Sequence, residues 1–585
     1  MVNMDSLKVS GLLCFCIFSL LGYSQAHFVR VATRKGRVLG KRTRYDYGID
    51  SVSNTVDAFL GVHYADQPVG NLRFRDPKPV RVSPPAGTNN LNLGPRCIQM
   101  PAFLYSVSSE ADVNDTMRED CLVLNIYSPA QHVKATYPVM VWIHGGSLQV
   151  GSGNWFDGHV LAQFGVVVVT VNYRLGVLGF LSDGDVDSLP GDYGIFDQVM
   201  ALRWIKNNIR EFRGDPNKVT IFGSSAGAWS VSLHLLMKWS QGLFHRAIIQ
   251  SGPLNAKLSH FNSPTSVKEA LLSVGESLNC NTDDADLLLQ CLRNVDAELF
   301  SEEEHATDMN GRFQVLWKGS RVLPTEPVKM LKQGYLNRVP VMIGDVQHEA
   351  ARFLCIFAIQ ENVPIDENGN FRGFLDNDTA EVKHAALMES LDQILGMSNI
   401  DLSETMKKVV IGKYFTPDVM MDRKKITKTL VELFSDIIMV APAVQTAKIL
   451  RSRGLTPYFY MFSHSLSIDI NNPFACSWLS DYSYHETELP FVFGNPISKA
   501  WSKSVWHTNR YTAQERNLSL SVMKLWADFA RNGEPSPELT WEPFGEETYD
   551  YLEIKTGSFE NKQNLRKRKV DFWIKIFDAR EPNNT

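Results

Sequence analysis

The sequence predicts an α/β protein built on a mostly parallel sheet with helices on both faces, and three observations carry that expectation. Apolar runs rich in β-branched residues recur at 139–143, 166–171, 219–222, 246–250, 339–343 and 458–462, as in strands buried on both sides. Helix-like segments separate them; within 197–212, Val199, Ala201, Leu202, Trp204, Ile205 and Ile209 fall at helical spacings. Strands divided by helices imply parallel pairing. The third observation is Gly223-Ser224-Ser225-Ala226-Gly227, set between the run ending at Phe222 and a helix-like stretch.

A Gly-x-Ser-x-Gly at a strand-to-helix turn is a nucleophile elbow, which makes the expected fold an α/β-hydrolase. The turn lifts the serine hydroxyl above the carboxyl edge of the sheet, where such sheets bind ligands, and its glycines relieve the crowding there. Ser225, not Ser224, takes the central position. A serine hydroxyl needs a base; a histidine held by a carboxylate supplies one, in the chain order serine, acid, histidine. Glu349, five residues after Gly344 at a strand-like end, and His485 in the loop 481–490 fill that order. Glu486 and Glu488 are rival acids by proximity, but a side chain next in sequence seldom orients its neighbour's ring. The backbone N–H groups of Gly145, Gly146 and Ala226 are candidates for an oxyanion hole, where one donor is worth roughly 3 kcal/mol.

Composition limits the alternatives. The 585 residues are 44% hydrophobic and 21% charged with a net charge of −5, so nothing points to nucleic acid or an acidic membrane as partner. No repeat, low-complexity tract or linker divides the chain, and one domain is expected over 27–585, with segments 259–335 and 366–378 as insertions capping the sheet. Lys8, the apolar stretch Val9 to Leu21 and Ser24-Gln25-Ala26 read as a signal peptide over residues 1–26. No other run reaches the ~18 apolar residues of a membrane helix, and the tail carries neither a GPI-type end nor an ER-retention signal. The expectation is a secreted, soluble protein without a stable membrane anchor. Of eight cysteines, Cys14 and Cys16 lie in the leader. No Cys-x-x-Cys or His-Glu-x-x-His occurs, so neither metal nor cofactor is expected. Asn114, Asn377 and Asn517 begin glycosylation sequons.

From about residue 28 to its end the chain resembles the type-B carboxylesterase/cholinesterase family. The resemblance rests on Glu119-Asp120-Cys121-Leu122, His144-Gly145-Gly146-Ser147, Asn172-Tyr173-Arg174-Leu175-Gly176, Gly191-Asp192-Tyr193-Gly194, Gly214-Asp215-Pro216, Gln250-Ser251-Gly252 and the block from His485 to Gly494. It implies Ser225 as nucleophile, Glu349 as triad acid and His485 as general base. It also implies disulfides Cys97–Cys121 and Cys280–Cys291, internal salt bridges Arg73–Glu119 and Arg174–Asp197, and a place for Ser251 beside the triad acid. Cys355 and Cys476 are left as a pair or as two buried thiols.

Departures from the family pattern narrow the substrate. Ser224 stands where relatives often carry glutamate, and the Cys97–Cys121 loop has no tryptophan to hold choline by cation–π contact. Both argue against acetylcholine. Ala350 follows the acid and Tyr482 precedes the histidine where the family usually has glycine. The resulting expectation is a secreted serine carboxylesterase acting on uncharged small-molecule esters through an acyl-enzyme. The alternative is a neuroligin- or glutactin-like adhesion protein, since such relatives share the fold without catalysis; a cholinesterase is the third reading.

Overall fold

The structure, a computed structural model, describes residues 27–45, 53–81, 90–99, 116–130, 136–257, 263–282, 284–301, 319–359, 363–366, 368–374, 378–467, 476–498, 511–535 and 539–580. The stretch 1–26, expected to be a signal peptide, and the sequons at Asn114 and Asn377 lie outside them. Asn517 is exposed on the helix Ala513–Asn532, while Ser519 of the same sequon is buried and donates to the Phe491 carbonyl.

Among the described residues, twelve strands form one sheet: β1 (His27–Thr33), β2 (Gly36–Arg44), β3 (Thr55–His63), β4 (Val123–Pro129), β5 (Tyr137–Ile143), β6 (Val167–Val171), β7 (Gly214–Ser224), β8 (Arg246–Gln250), β9 (Val341–Val346), β10 (Tyr458–Phe462), β11 (Tyr551–Lys555) and β12 (Ser558–Lys562). Their order is β1-β2-β3-β4-β6-β5-β7-β8-β9-β10-β11-β12. The block from β6 to β11 is parallel, and antiparallel strands extend it at both edges. The strands expected at 246–250 and 458–462 form with those bounds, and β9 runs to Val346 rather than ending at Ile343. The antiparallel edges went unread, because polar alternation such as Gly36–Arg44 has no buried apolar run to mark it.

Alternate side chains of the central strands enter two separate cores, as the twofold period of a strand requires. Val139, Val141, Ile143, Ile221, Ile249 and Ile343 pack on one face; Met140, Trp142, Phe222, Ile248, Met342 and Tyr460 pack on the other. The first face is covered by helices including Tyr193–Asn208, Ala226–Leu236 and Arg423–Ser452, the second by Ala513–Asn532. Tyr193–Asn208 starts before Asp197, and 209–212 close it as a 3-10 turn. The helix Arg423–Ser452 is long and apolar enough to cross a bilayer, but 94% of its apolar window is buried against the sheet and its neighbours. Five residues, Asp436–Val440, form a π-turn inside it.

Within the segment 259–335, helices Pro264–Ser277 and Ala285–Asn294 form and pack with Phe74, Val177 and Leu178 into a third core. Disulfides join Cys97 to Cys121, Cys280 to Cys291 and Cys355 to Cys476. The last joins the helix after β9 to the segment leading into the histidine loop, so the two undecided cysteines are a pair. Both anticipated salt bridges form: Arg73 makes a two-pronged pair with Glu119 at 2.7 Å, and Arg174 does the same with Asp197 at 2.7 Å.

Arg174 and Asp197 are 4% and 0% exposed, and Asp197 also accepts from the Arg174 amide. Removing one partner strands a buried charge. Asp197→Ala should therefore lower the unfolding free energy by about 3–5 kcal/mol, read from denaturant titration; a loss below about 1 kcal/mol, the level of an exposed pair, would contradict this assignment.

Candidate active site

Parallel pairing brings five strand ends together. Ile143 pairs with Gly223, Ser224 with Gln250, Gln250 with Gly344 and Val346 with Phe462. The loops leaving these ends carry Gly145, Ser225, Ser251, Glu349 and His485. The chain passes from β5 out to β6 and returns on the far side of β5 to β7, so the crevice opens at a topological switch point.

Ser225 has φ +56° and ψ −128°, a strained conformation for a residue with a side chain. Its amide donates to the Gln250 carbonyl at 3.0 Å, and its carbonyl accepts from Trp229 as the helix Ala226–Leu236 begins. The glycines of the elbow are dictated by space. A methyl group on Gly223 would lie 2.6 Å from the Ile143 carbonyl oxygen, and one on Gly227 would run into the same atom. Ser224 is fully buried on the strand side, which leaves Ser225 as the elbow's half-exposed serine.

His485 Nδ1 and Glu349 Oε2 are 2.6 Å apart, and both residues are buried. Glu349 Oε1 accepts from the Val346 amide at 2.8 Å. The Ser251 hydroxyl favours the Glu349 carboxylate by its position but closes no hydrogen bond with it. Burial is the leading cause at both members: it pushes the Glu349 carboxyl up and pulls the His485 imidazole down to about 4. His485 Nε2, the nitrogen a serine hydroxyl would use, is buried with no partner among the described residues. The ring packs against Phe353, with centroids 5.0 Å apart.

The rival acids are occupied elsewhere. Glu486 pairs with Arg352 at 3.1 Å. Glu488 accepts from Gln250 at 3.0 Å, and Gln250 in turn accepts from Trp526 at 3.1 Å. Of the three carboxyl groups, Glu349 is the one that bonds His485. The histidine loop is tied to the acid loop by His348, whose amide donates to the Ser483 carbonyl at 2.9 Å while its Nδ1 accepts from the Ser483 amide at 3.3 Å. Tyr482 packs edge-on against His348 and Trp478, and Ala350 begins the helix after Glu349, its amide donating to Ser435.

The amides of Gly145 and Gly146 donate to no protein acceptor among the described residues, and Ala226 opens a helix whose first amides lack intrahelical acceptors. Gly146 has φ +101°, and a side chain there would strike the Val150 carbonyl. Reading the sequence missed what holds this loop. Tyr173 stacks on His144 with centroids 4.4 Å apart and donates to the His144 carbonyl at 2.7 Å. The run Asn172-Tyr173 was visible as part of a motif, but its contact with His144 spans two strand ends and has no local signal.

A mostly parallel sheet with helices on both faces, carrying a strained serine turn between β7 and a helix, fits the α/β-hydrolase fold. The chain belongs to the carboxylesterase family, which it matches over residues 27–573. It is 33% identical to carboxylesterase 1C of Mus musculus over 577 residues, covering 97% of this chain and 96% of that one. It is 34% identical to mouse carboxylesterase 1D over 567 residues, 93% of each chain. It is also 32% identical to human neuroligin-2 over 603 residues, 94% of this chain and 68% of that protein.

Because Gly223 packs against Ile143, Gly223→Ala forces the elbow away from β5. The expected cost is about 1–3 kcal/mol of stability, seen as a lower midpoint of thermal unfolding; an unchanged midpoint would refute the packing argument.

Proposed function

We propose that the protein is a secreted serine carboxylesterase in which Ser225 is the nucleophile, His485 the general base and Glu349 the acid. The observation that carries this reading is the bond of His485 Nδ1 to Glu349 in a buried setting, which leaves Nε2 for a serine proton. Ser225 Oγ attacks the ester carbonyl and His485 takes its proton, then returns it to the leaving alcohol. The amides of Gly145, Gly146 and Ala226 bind the developing oxyanion. Water, activated by His485, releases the acid. Three disulfides support an oxidising compartment. The neuroligin reading has comparable sequence support; the buried Glu–His pair together with the strained elbow serine favours hydrolysis, because adhesion makes no demand on either.

The experiment is fluorophosphonate labelling of the folded protein with the modified residue mapped by mass spectrometry. Stoichiometric labelling at Ser225, lost in Ser225→Ala, is expected. No labelling of the folded protein would move the adhesion reading ahead.

The same labelling reads the base. His485 must be unprotonated to accept the serine proton, and burial holds its pKa below the ordinary 6.5. The labelling rate should stay high as pH falls past 6.5 and drop only as pH approaches the lowered value of about 4. A half-point at or above 6.5 would contradict the burial argument.

A further inference from the structure

Glu486 holds a position that the triad does not require. Its backbone has φ +73°, a left-handed conformation that glycine takes freely and glutamate rarely. Oε2 pairs with Arg352 Nη1 at 3.1 Å, and the two side chains are only 17% and 12% exposed. Oε1 has no donor among the described residues and lies toward the elbow. A methyl group on Gly145 would sit 3.3 Å from Glu486 Oε1, 3.0 Å from Ser225 Cβ and 2.7 Å from the Ser224 carbonyl. The missing side chain of Gly145 thus leaves a space where the serine and an anionic oxygen converge. The charge of Glu486 raises the basicity of His485 and that of Arg352 lowers it, so both side chains act within the field of the ring.

We propose that Glu486 is a specificity-determining residue that accepts a hydrogen bond from a hydroxyl or amine carried next to the substrate's scissile carbonyl. The inference rests on Ser225 being the nucleophile. A carboxylate oxygen beside an oxyanion site opposes the charge that develops there unless a donor engages it. Arg352 engages Oε2 and leaves Oε1 for the substrate. An apolar substituent in the same place would cover Oε1 without a partner, and sites built around a polar group reject ligands that leave it unpaired. The fitting substrates are esters whose acid carries a donor on the carbon beside the carbonyl, or whose alcohol carries one at the corresponding distance.

The test measures kcat/KM for two size-matched pairs in the wild-type protein and in Glu486→Gly. On the acyl side the pair is 4-nitrophenyl glycolate and 4-nitrophenyl propanoate; on the alcohol side it is the 2-hydroxyethyl and propyl esters of butanoic acid. Comparing the hydroxyl-to-apolar ratio between proteins cancels the intrinsic reactivity of the esters. Glycine suits φ +73°, so the variant keeps the fold, and Glu486→Gln repeats the measurement with the side-chain shape retained. The expected result is a ratio at least roughly tenfold lower in Glu486→Gly for one of the pairs, which also locates the donor, with a smaller fall in Glu486→Gln. Equal changes for both members of each pair would make Glu486 a tether for Arg352 and overturn the inference alone, provided a neutral fluorophosphonate still labels Ser225. Failure of that label in the wild type would overturn the esterase reading and this inference together.

Discussion

Every feature of the site depends on the parallel register of β5, β7, β8 and β9. Parallel strands point their carboxyl ends the same way, so residues far apart in the chain leave the sheet side by side: Gly145, Ser225, Ser251 and Glu349 follow strands whose last pairs are hydrogen-bonded neighbours. The register tolerates no slip, because a shift of one residue would turn each strand inside out and drive Trp142 and Phe222 into the opposite core. Hydrophobic packing on both faces thus sets the positions of the polar groups at the edge. The elbow adds a demand of its own: Gly223 and Gly227 must approach the Ile143 carbonyl closely, which makes β5 and the Ser225 turn one unit.

The second constraint is the burial of charge. Asp345, Glu349 and Glu488 are all inaccessible to solvent, and desolvation pushes each carboxyl group toward the protonated form, with the charge of Glu349 adding to the push at Asp345 and Glu488. Arg566 opposes that tendency at Asp345 and Glu349 while binding Asp436 at 2.7 Å and the Gln347 carbonyl at 2.6 Å. The π-turn at 436–440 brings Asp436 into this group, where Tyr414 also donates to it at 2.8 Å. A core helix, the start of the C-terminal helix and the acid loop are therefore coupled through one arginine, a reason for the acid side of the site to resist deformation.

Family membership leaves the choice between hydrolysis and adhesion to the site, because a fold hosts more than one function and relatives of both kinds match at similar identity. What favours hydrolysis lies in individual groups: a serine held at φ +56°, a histidine that burial keeps neutral, and a carboxylate on its far nitrogen. Strain and desolvation both oppose folding, and both fall at the crevice of the candidate site.

Much of this was legible in the amino-acid order because it is encoded locally. Apolar β-branched runs mark the buried strands, and Gly223-Ser224-Ser225-Ala226-Gly227 marks the elbow, since only small residues fit where strand and helix meet. Glu349 and His485 were legible as a loop acid and a loop histidine in the expected order, and Cys97, Cys121, Cys280 and Cys291 as partners for disulfides across short loops. Chain order and a loop after a strand favoured Glu349 over Glu486 and Glu488, but only the fold shows which side-chain oxygen meets Nδ1 across 136 residues of separation. Nor could it reveal the Cys355–Cys476 bond across 121 residues, the Tyr173–His144 clamp, or the turn of Glu486 toward Gly145. The sequence by itself determined which residues are apolar, flexible or chemically able. Tertiary structure alone decided which of them meet, because direction and distance between loops are set by the sheet that carries them.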